Sequence, residues 1–471
     1  MKSEHSAVLS GKRVAFLSLG CKVNSYETEG MREMFLKAGA IPVGFEEEAE
    51  VYIVNTCSVT NIADRKSRQM LHRAKKRGNG AFVVAVGCYA QAAGDVLTKE
   101  NGVDLVIGNN KKSEVVSLVA DLFSDRETAK SLAVVDIAGE REYEELPIET
   151  VTEHTRAFIK IEDGCNQFCS YCIIPYVRGR VRSRSEKEVL AEVMRLAKEG
   201  YHEVVLTGIH LSSYGLEWAK NENGASEFDA TLAKEKKLLP LLTLLQKVHE
   251  VEGIERIRLG SLEPRIMTEE FVQELAELPK LCPHFHLSLQ SGCDATLRRM
   301  NRKYTTAEYE AAVQNLRKYF KNPAITTDII VGFPGETEEE FKQTLEFAEH
   351  IAFSQIHIFK YSRRGGTVAD RMDGQLGEQT KSERSDQLEQ VERRLEKNYR
   401  EGFCGAVEEL LVEEETEISG ERFYIGHTMR YVKLAVPAEP ETVLTNKTIR
   451  VRVTNEKMQD FFIAERLEFL N

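Results

Sequence analysis

Cys165, Cys169 and Cys172 form a C-x3-C-x2-C set inside the segment EDGCNQFCSYCIIPYVRGR. Thiolates are soft ligands that suit iron–sulfur clusters and zinc. A cubane iron–sulfur cluster normally takes four cysteines. Three would leave one iron open to a small molecule, much as catalytic zinc sites keep one position free. A zinc site would need a fourth ligand. The loop has no histidine, and its spacing is not the paired C-x2-C of a zinc ribbon. Three merely buried cysteines are a poorer account still, because Asn166, Gln167 and Ser170 make the loop polar.

Cys21, Cys57 and Cys88 are far apart in the chain but share a local context. Each follows an apolar run that reads as a strand: FLSLG, YIVNT and VVAVG. Parallel strands place their C-terminal ends on one edge of a sheet, where ligand sites form. Successive strand–helix units therefore bring three separated thiolates together. Gly20 and Gly87 allow close backbone approach beside two of them. Free cysteine is among the most buried residue types, so one such cysteine would read as core. Three in equivalent positions read as a metal site. Cys282, Cys293 and Cys404 share no context and read as structural.

The elements that must position these groups follow from the hydrophobic pattern. Apolar runs at Val14–Leu19, Val51–Val54, Phe82–Val86 and Val103–Ile107 alternate with helical stretches at Tyr26–Ala38 and Ile62–Arg77. This is the pattern of a parallel α/β sheet. Residues 125–150 are charged and weakly periodic, and read as a linker. Strand–helix alternation then resumes, with strands expected at Ala157–Ile161, Glu203–Thr207, Arg256–Leu259, His284–Leu289, Thr326–Val331 and Gln355–Phe359. Helices are expected at Glu186–Lys198, Leu238–His249, Ala307–Tyr319 and Thr337–His350. Six β/α units predict a partial (β/α)6 barrel, whose chemistry sits at the C-terminal ends of its strands. Trp218–Lys236 reads as a polar surface insertion. After a charged helical stretch at 376–400, only short β-rich runs remain: Glu409–Val412, Tyr431–Val436 and Thr448–Val453. They predict a small all-β barrel.

Composition narrows the function. The 471 residues carry 42% apolar and 29% charged side chains, as ordinary globular proteins do. The net charge of -12 argues against a general nucleic-acid-coating surface, though not against a local basic face. The apolar stretch Val14–Leu19 is too short for a membrane span or a signal-peptide core. The expectation is a cytoplasmic protein with no membrane partner. There thiols stay reduced, so nine cysteines point to metal or catalysis rather than disulfides.

The cysteine loop after a first barrel strand resembles the radical S-adenosylmethionine superfamily. That resemblance implies a [4Fe–4S] cluster on Cys165, Cys169 and Cys172 whose open iron binds S-adenosylmethionine. Reductive cleavage of the sulfonium then gives methionine and a 5′-deoxyadenosyl radical. With the N-terminal trio Cys21, Cys57 and Cys88, the chain resembles the methylthiotransferases from about residue 11 to its end. The implied organisation is an N-terminal domain at 11–124 and the linker at 125–150. A radical core at 151–382, a connecting helix at 383–400 and an RNA-binding TRAM domain at 401–471 complete it. Two [4Fe–4S] clusters are implied, the second of them handling sulfur. The segments LGCKVNSYETE, NTCSVT, CSYCIIPYVRGRVRSR, LTGIHLSSYG, RLGSLEP and LQSGCDATLRRMNRKY look most like one branch. Its members methylthiolate C2 of N6-threonylcarbamoyladenosine at tRNA position 37. The implied partners are a tRNA anticodon stem-loop, an electron donor and a sulfur donor. Isopentenyladenosine tRNA, a ribosomal-protein side chain, or a noncatalytic iron–sulfur RNA sensor are the alternatives.

Polar residues at the expected strand ends are candidates for holding S-adenosylmethionine. Tyr171 is expected to pack on adenine. Thr207, Gly208 and His210 fall at the superfamily's amino-group motif. Ser261 and Glu263 follow the third strand, Ser288 and Gln290 the fourth. Gly332 opens the turn after the fifth. Turn residues and helix caps are the plain alternative for each, notably at Glu336 and Thr337. Two basic groups are candidates for phosphate contacts. One is Arg178, Arg180, Arg182 and Arg184; the other is Arg65, Lys66, Arg68, Arg73, Lys75, Lys76 and Arg77. A solvated face is the alternative. A threonylcarbamoyl group carries a carboxylate, which asks for a cation in its pocket. Arg363, beside Arg364 after the sixth strand, is the candidate for that role.

Overall fold

The computed structural model describes residues 7–78, 80–99, 102–124, 131–146, 148, 155–218, 239–439, 442–458 and 461–467. Beyond its first residue, the insertion expected at 218–236 lies outside them. The N-terminal strands are β1 (Arg13–Ser18), β2 (Ile41–Val43), β3 (Val51–Thr56), β4 (Phe82–Gly87), β5 (Leu105–Ile107) and β6 (Leu132–Ala133). They form one parallel sheet in the order β2-β1-β3-β4-β5-β6. Every residue of β3 and β4 is buried, because helices cover both faces. Four helices matter here: α1 (Lys22–Lys37), α2 (Asn61–Arg77), α3 (Cys88–Leu97) and α4 (Val115–Ser124). Thr60 caps α2 by accepting from the Ala63 amide.

The expected linker is partly structure. It supplies β6, and its Ile137, Leu146 and Ile148 are buried. Tyr143 donates to the Lys160 carbonyl at 2.8 Å. The apolar run Leu132–Ile137 is the linker's one sequence signal, and only Leu132 and Ala133 of it pair as strand.

The central strands are β7 (Arg156–Lys160), β8 (Glu162–Asp163), β9 (Arg182–Ser183), β10 (Glu203–Thr207), β11 (Arg256–Leu259), β12 (His284–His286), β13 (Ala324–Val331) and β14 (Gln355–Lys360). Two parallel sheets, β11-β10-β7 and β12-β13-β14, are joined by the bridges Ile257–Leu281 and Leu262–Leu287. Among the described residues β14 does not pair with β7, so the barrel is open along that side. The helices Thr306–Tyr319 and Glu338–Ile351 begin with reciprocal capping boxes, Thr305 with Glu308 and Thr337 with Glu340.

The helix Glu378–Glu401 leads to β15 (Val407–Ile418), β16 (Glu421–Thr428), β17 (Lys433–Pro437), β18 (Thr448–Met458) and β19 (Phe461–Arg466). These close into a barrel in the order β15-β16-β17-β19-β18. It docks on the N-terminal ends of the central strands. Arg256 donates to the carbonyls of His427 and Glu409, and Arg258 to that of Met429. The Tyr431 ring stacks on His284 and His427 at 4.6 and 4.5 Å, with Arg156 and Arg258 over it.

Candidate active site

The loop carrying Cys165, Cys169 and Cys172 runs from β8 to the short helix Ile174–Val177. Gly164 turns it with φ +81°, where a Cβ would stand 2.0 Å from the Arg180 carbonyl oxygen. The loop is pinned from outside. The Ser170 amide donates to the Met300 carbonyl at 3.0 Å, the Ala369 amide to the Ser170 carbonyl at 2.7 Å, and Asn301 Nδ2 to the Phe168 carbonyl at 2.9 Å. Arg302 Nη1 donates to Cys169 Sγ at 3.3 Å. Burial, and then the neighbouring Cys169, push the Cys172 thiol up to about 12. Burial also raises the Cys165 thiol, and Cys172 and Cys169 add to it. The three sulfurs therefore feel one another, yet they do not crowd round a point. Among the described residues, the only three metal-ligand side chains with donor atoms within 4.8 Å of one another are His286, Asp328 and His357. Sulfurs spaced more widely suit a multi-iron cluster better than one zinc ion.

The second trio stands as the sheet requires. Cys21 precedes α1, Cys57 follows β3, and Cys88 opens α3 after β4. Gly20, at φ +98°, lets Cys57 approach; a Cβ there would meet Cys57 Sγ at 2.6 Å. Ser67 of α2 fixes Cys57 by accepting from its amide at 3.2 Å and donating to its carbonyl at 3.0 Å. Burial pushes the Cys57 thiol up to about 11, with Cys88 and Cys21 adding to the rise. Arg178 Nε donates to Cys88 Sγ at 3.2 Å, and Cys88 packs on Ile173 and Val177, just past Cys172.

One trio and residues just after a cysteine of the other border one cleft of about 290 Å³. Cys165, Cys169 and Cys172 line it, and Val59 and Thr60, just after Cys57, line it too. Of the expected S-adenosylmethionine contacts, Tyr171, His210, Ser261, Glu263, Ser288 and Gln290 are in its wall. Thr207, Gly208 and Gly332 are not. Gly208 packs on Glu162, and the Gly332 amide donates to Glu336 Oε2 at 2.8 Å, so it is already engaged. His210 Nδ1 is 2.7 Å from Ser213 Oγ, and burial lowers the imidazole pKa. Glu263 is clamped by Arg265 at 2.9 and 3.1 Å.

Two expectations need correction. Arg178, Arg182 and Arg184 are buried, so they hold the fold together and do not meet phosphate. Arg363 does not line the cleft. Its side chain is 61% exposed and its Nε donates to Asp370 at 2.8 Å. Its neighbour Arg364 is the buried one, bonded to Asp64 at 2.6 Å and to Ser58. Arg364 thereby ties the loop after β14 to the start of α2, beside Cys57.

Sequence reasoning also missed Glu162, Arg302 and the role of Arg178. Burial pushes Glu162 up to about 8, while its Oε2 accepts from the His210 amide at 2.7 Å. No spacing or periodicity marks these residues, because their partners are distant in the chain.

Residues 159–348 match the model of the radical SAM superfamily, and residues 13–108 that of the uncharacterized protein family UPF0004. The chain is 38% identical over 441 residues to the threonylcarbamoyladenosine tRNA methylthiotransferase MtaB of Bacillus subtilis, covering 93% of each. It is 40% identical to the MtaB of Aquifex aeolicus over 87% of this chain and 95% of that one. It is 32% identical to the tRNA-2-methylthio-N(6)-dimethylallyladenosine synthase of Pelotomaculum thermopropionicum, over 95% and 96%. Among solved structures, the radical S-adenosylmethionine methyltransferase TsrM of Kitasatospora setae shares the fold, with a TM-score of 0.53 at 14% identity over 74% and 72% of the two chains. With likeness to curated relatives running almost end to end and the cysteine loop on the matched barrel, the chain belongs to the radical S-adenosylmethionine methylthiotransferase family.

Proposed function

We propose that this enzyme methylthiolates C2 of N6-threonylcarbamoyladenosine in the anticodon loop of tRNA. Membership of the family brings S-adenosylmethionine and a [4Fe–4S] cluster, for which Cys165, Cys169 and Cys172 are the ligands proposed here. When bound, that pair supplies a carbon-centred radical able to take hydrogen from an unactivated position. Cys21, Cys57 and Cys88 are proposed to hold a second [4Fe–4S] cluster that handles sulfur. The observation that carries this reading is the single cleft walled by one trio and by the residues just after Cys57. Sulfur can be delivered to the substrate carbon only if both sites reach it.

The roles of the chain's own groups follow. Tyr171, His210, Glu263, Ser288 and Gln290 orient S-adenosylmethionine against the first cluster. Arg302 holds Cys169 in place by donating to its sulfur. Arg364 keeps the two cluster-bearing units in register. The threonylcarbamoyl substrate is supported by the two relatives named for it at 38% and 40% identity.

Nucleoside analysis of tRNA from cells with and without this protein tests the proposal. Loss of 2-methylthio-N6-threonylcarbamoyladenosine with accumulation of the unmethylthiolated base is expected. Loss of the isopentenyl analogue instead would move the assignment to the branch represented by the synthase at 32% identity. No change in either nucleoside would reject both.

A further inference from the structure

Arg363 does not reach the cleft, so the carboxylate of a threonylcarbamoyl group needs another cation. Side chains alternate along a strand, and the residues of the central strands that miss the outer, helix-packed core point into the barrel. One inner layer is Phe158, Val205, Arg258, His286, Asp328 and His357; Phe158, Val205 and Arg258 are in register, as are Asp328 and His357. Asp328 belongs to the floor of the cleft. Its Oδ2 lies 3.3 Å from His286 Nε2, whose Nδ1 lies 3.0 Å from Thr326 Oγ1. The rings of His286 and His357 are 5.7 Å apart.

Lys22 enters this layer through the open side of the barrel. It is the first residue of α1, and its Nζ stands 5.6 Å from the Phe158 ring centre. Burial disfavours protonation of His284 and His357 and the Lys22 charge adds to it, while Arg156 and then Lys22 favour ionisation of Tyr431. Among the described residues, no carboxylate lies within ion-pair distance of Lys22. Three neighbouring cations are already engaged, Arg302 on Cys169, Arg258 on Glu203 at 2.8 Å and Arg156 on Glu413 at 3.4 Å, while Lys360, in the cleft wall, donates to the Ser382 hydroxyl at 3.3 Å.

We propose that Lys22 forms a carboxylate-binding subsite for the acid group on the N6 substituent of the substrate adenosine. This rests on the substrate reading given above. An ammonium and a carboxylate form a charge-assisted hydrogen bond, and a bound carboxylate that gives up water without gaining a partner is costly. An apolar isopentenyl group would leave Lys22 without a partner, so the same residue selects against it. Asp328, tied to His286, remains an acceptor for the hydroxyl or N–H groups of the same substituent.

Anaerobic kinetics of the holoenzyme on two anticodon stem-loops test this. One carries N6-threonylcarbamoyladenosine; the other carries the same group with its carboxylate replaced by hydroxymethyl. The unmutated enzyme should prefer the acid by about tenfold or more in kcat/KM, mostly through KM, as one charge-assisted hydrogen bond gives. Lys22→Met should lose that preference, and Lys22→Arg should recover part of it. Lys22 adjoins Cys21, so the comparison on unmutated enzyme also stands alone: equal kcat/KM on the two loops overturns the proposal. A preference that survives in Lys22→Met overturns it too. Loss of the preference on adding a chelator, with Lys22 intact, would assign the cation to a metal ion among His286, Asp328 and His357. That also overturns it. An enzyme inert on both loops but active on an isopentenyladenosine loop defeats the substrate reading itself, and the subsite with it.

Discussion

Arg178 has no solvent exposure and meets two carboxylates. Its Nη1 donates to Glu27 at 2.9 Å and to Asp163 at 3.0 Å, and its Nη2 to Asn24 at 2.7 Å. Lys160 and Lys112 complete the group around Glu27, at 2.8 and 3.2 Å. Burial alone would raise the Glu27 pKa, but Arg178, Lys112 and Lys160 hold it well below the usual carboxylate range. Removing one member of a buried ion pair strands the other charge. Arg178→Met should therefore cost about 3–5 kcal/mol in denaturant unfolding and leave the salt slope of tRNA binding unchanged. A variant with normal stability and a reduced slope would restore the phosphate role to Arg178. In the sequence, this arginine stands in a basic run that reads as a solvated or RNA-binding face. Its partner Glu27 is 151 positions away, so nothing local announces the pair. The two cysteine trios stand out in the sequence for the opposite reason: their signal lies in short spacing, or in a repeated strand-end context.

Helix α2 is the element best placed to meet RNA. Its N-terminus adjoins the cleft through Val59 and Thr60, and Val59 and Ile62 are exposed apolar residues. Along it Arg73 and Arg77 pair with Glu46, and Lys75 with Asp104. Arg65, Lys66 and Lys76 are exposed and form no ion pair among the described residues. A phosphate contact releases counterions, so each one lost lowers the salt slope by about 0.7–0.9. The double variant Arg65→Gln with Lys66→Gln should weaken tRNA binding and reduce that slope. Filter binding across a salt series measures it, and an unchanged slope would make this a solvated face. Helices with an amphipathic period and a side-chain cap were legible almost to the residue, as Glu186–Lys198 shows, whereas α1, which has no side-chain cap, begins at Lys22, four residues before its expected start. β2 and β6 were not legible, being three and two residues long. β16 and β19 were missed because their apolar runs, Phe423–Ile425 and Phe461–Ala464, are short.

At the scale of the whole molecule, the two cysteine trios come from separate units that share one cleft. Cys88 packs on Ile173, next to Cys172, Arg178 reaches from the barrel loop to Cys88, and Arg364 closes the seam beside Cys57. The C-terminal barrel fills the opposite end with Tyr431. No helix among the described residues is long and apolar enough to cross a membrane. Two cubane clusters predict about eight irons per chain after anaerobic reconstitution. Alanine at Cys165, Cys169 and Cys172 should halve that content and abolish cleavage of S-adenosylmethionine. Alanine at Cys21, Cys57 and Cys88 should also halve it, keep cleavage, and lose methylthiolation. The two triple variants have the same expected iron content and opposite expected cleavage, so metal analysis and 5′-deoxyadenosine assay together separate the sites. Iron that saturates near four per unmutated chain, or abundant methylthiolated product from the second variant, would mean that the N-terminal trio holds no sulfur-handling cluster.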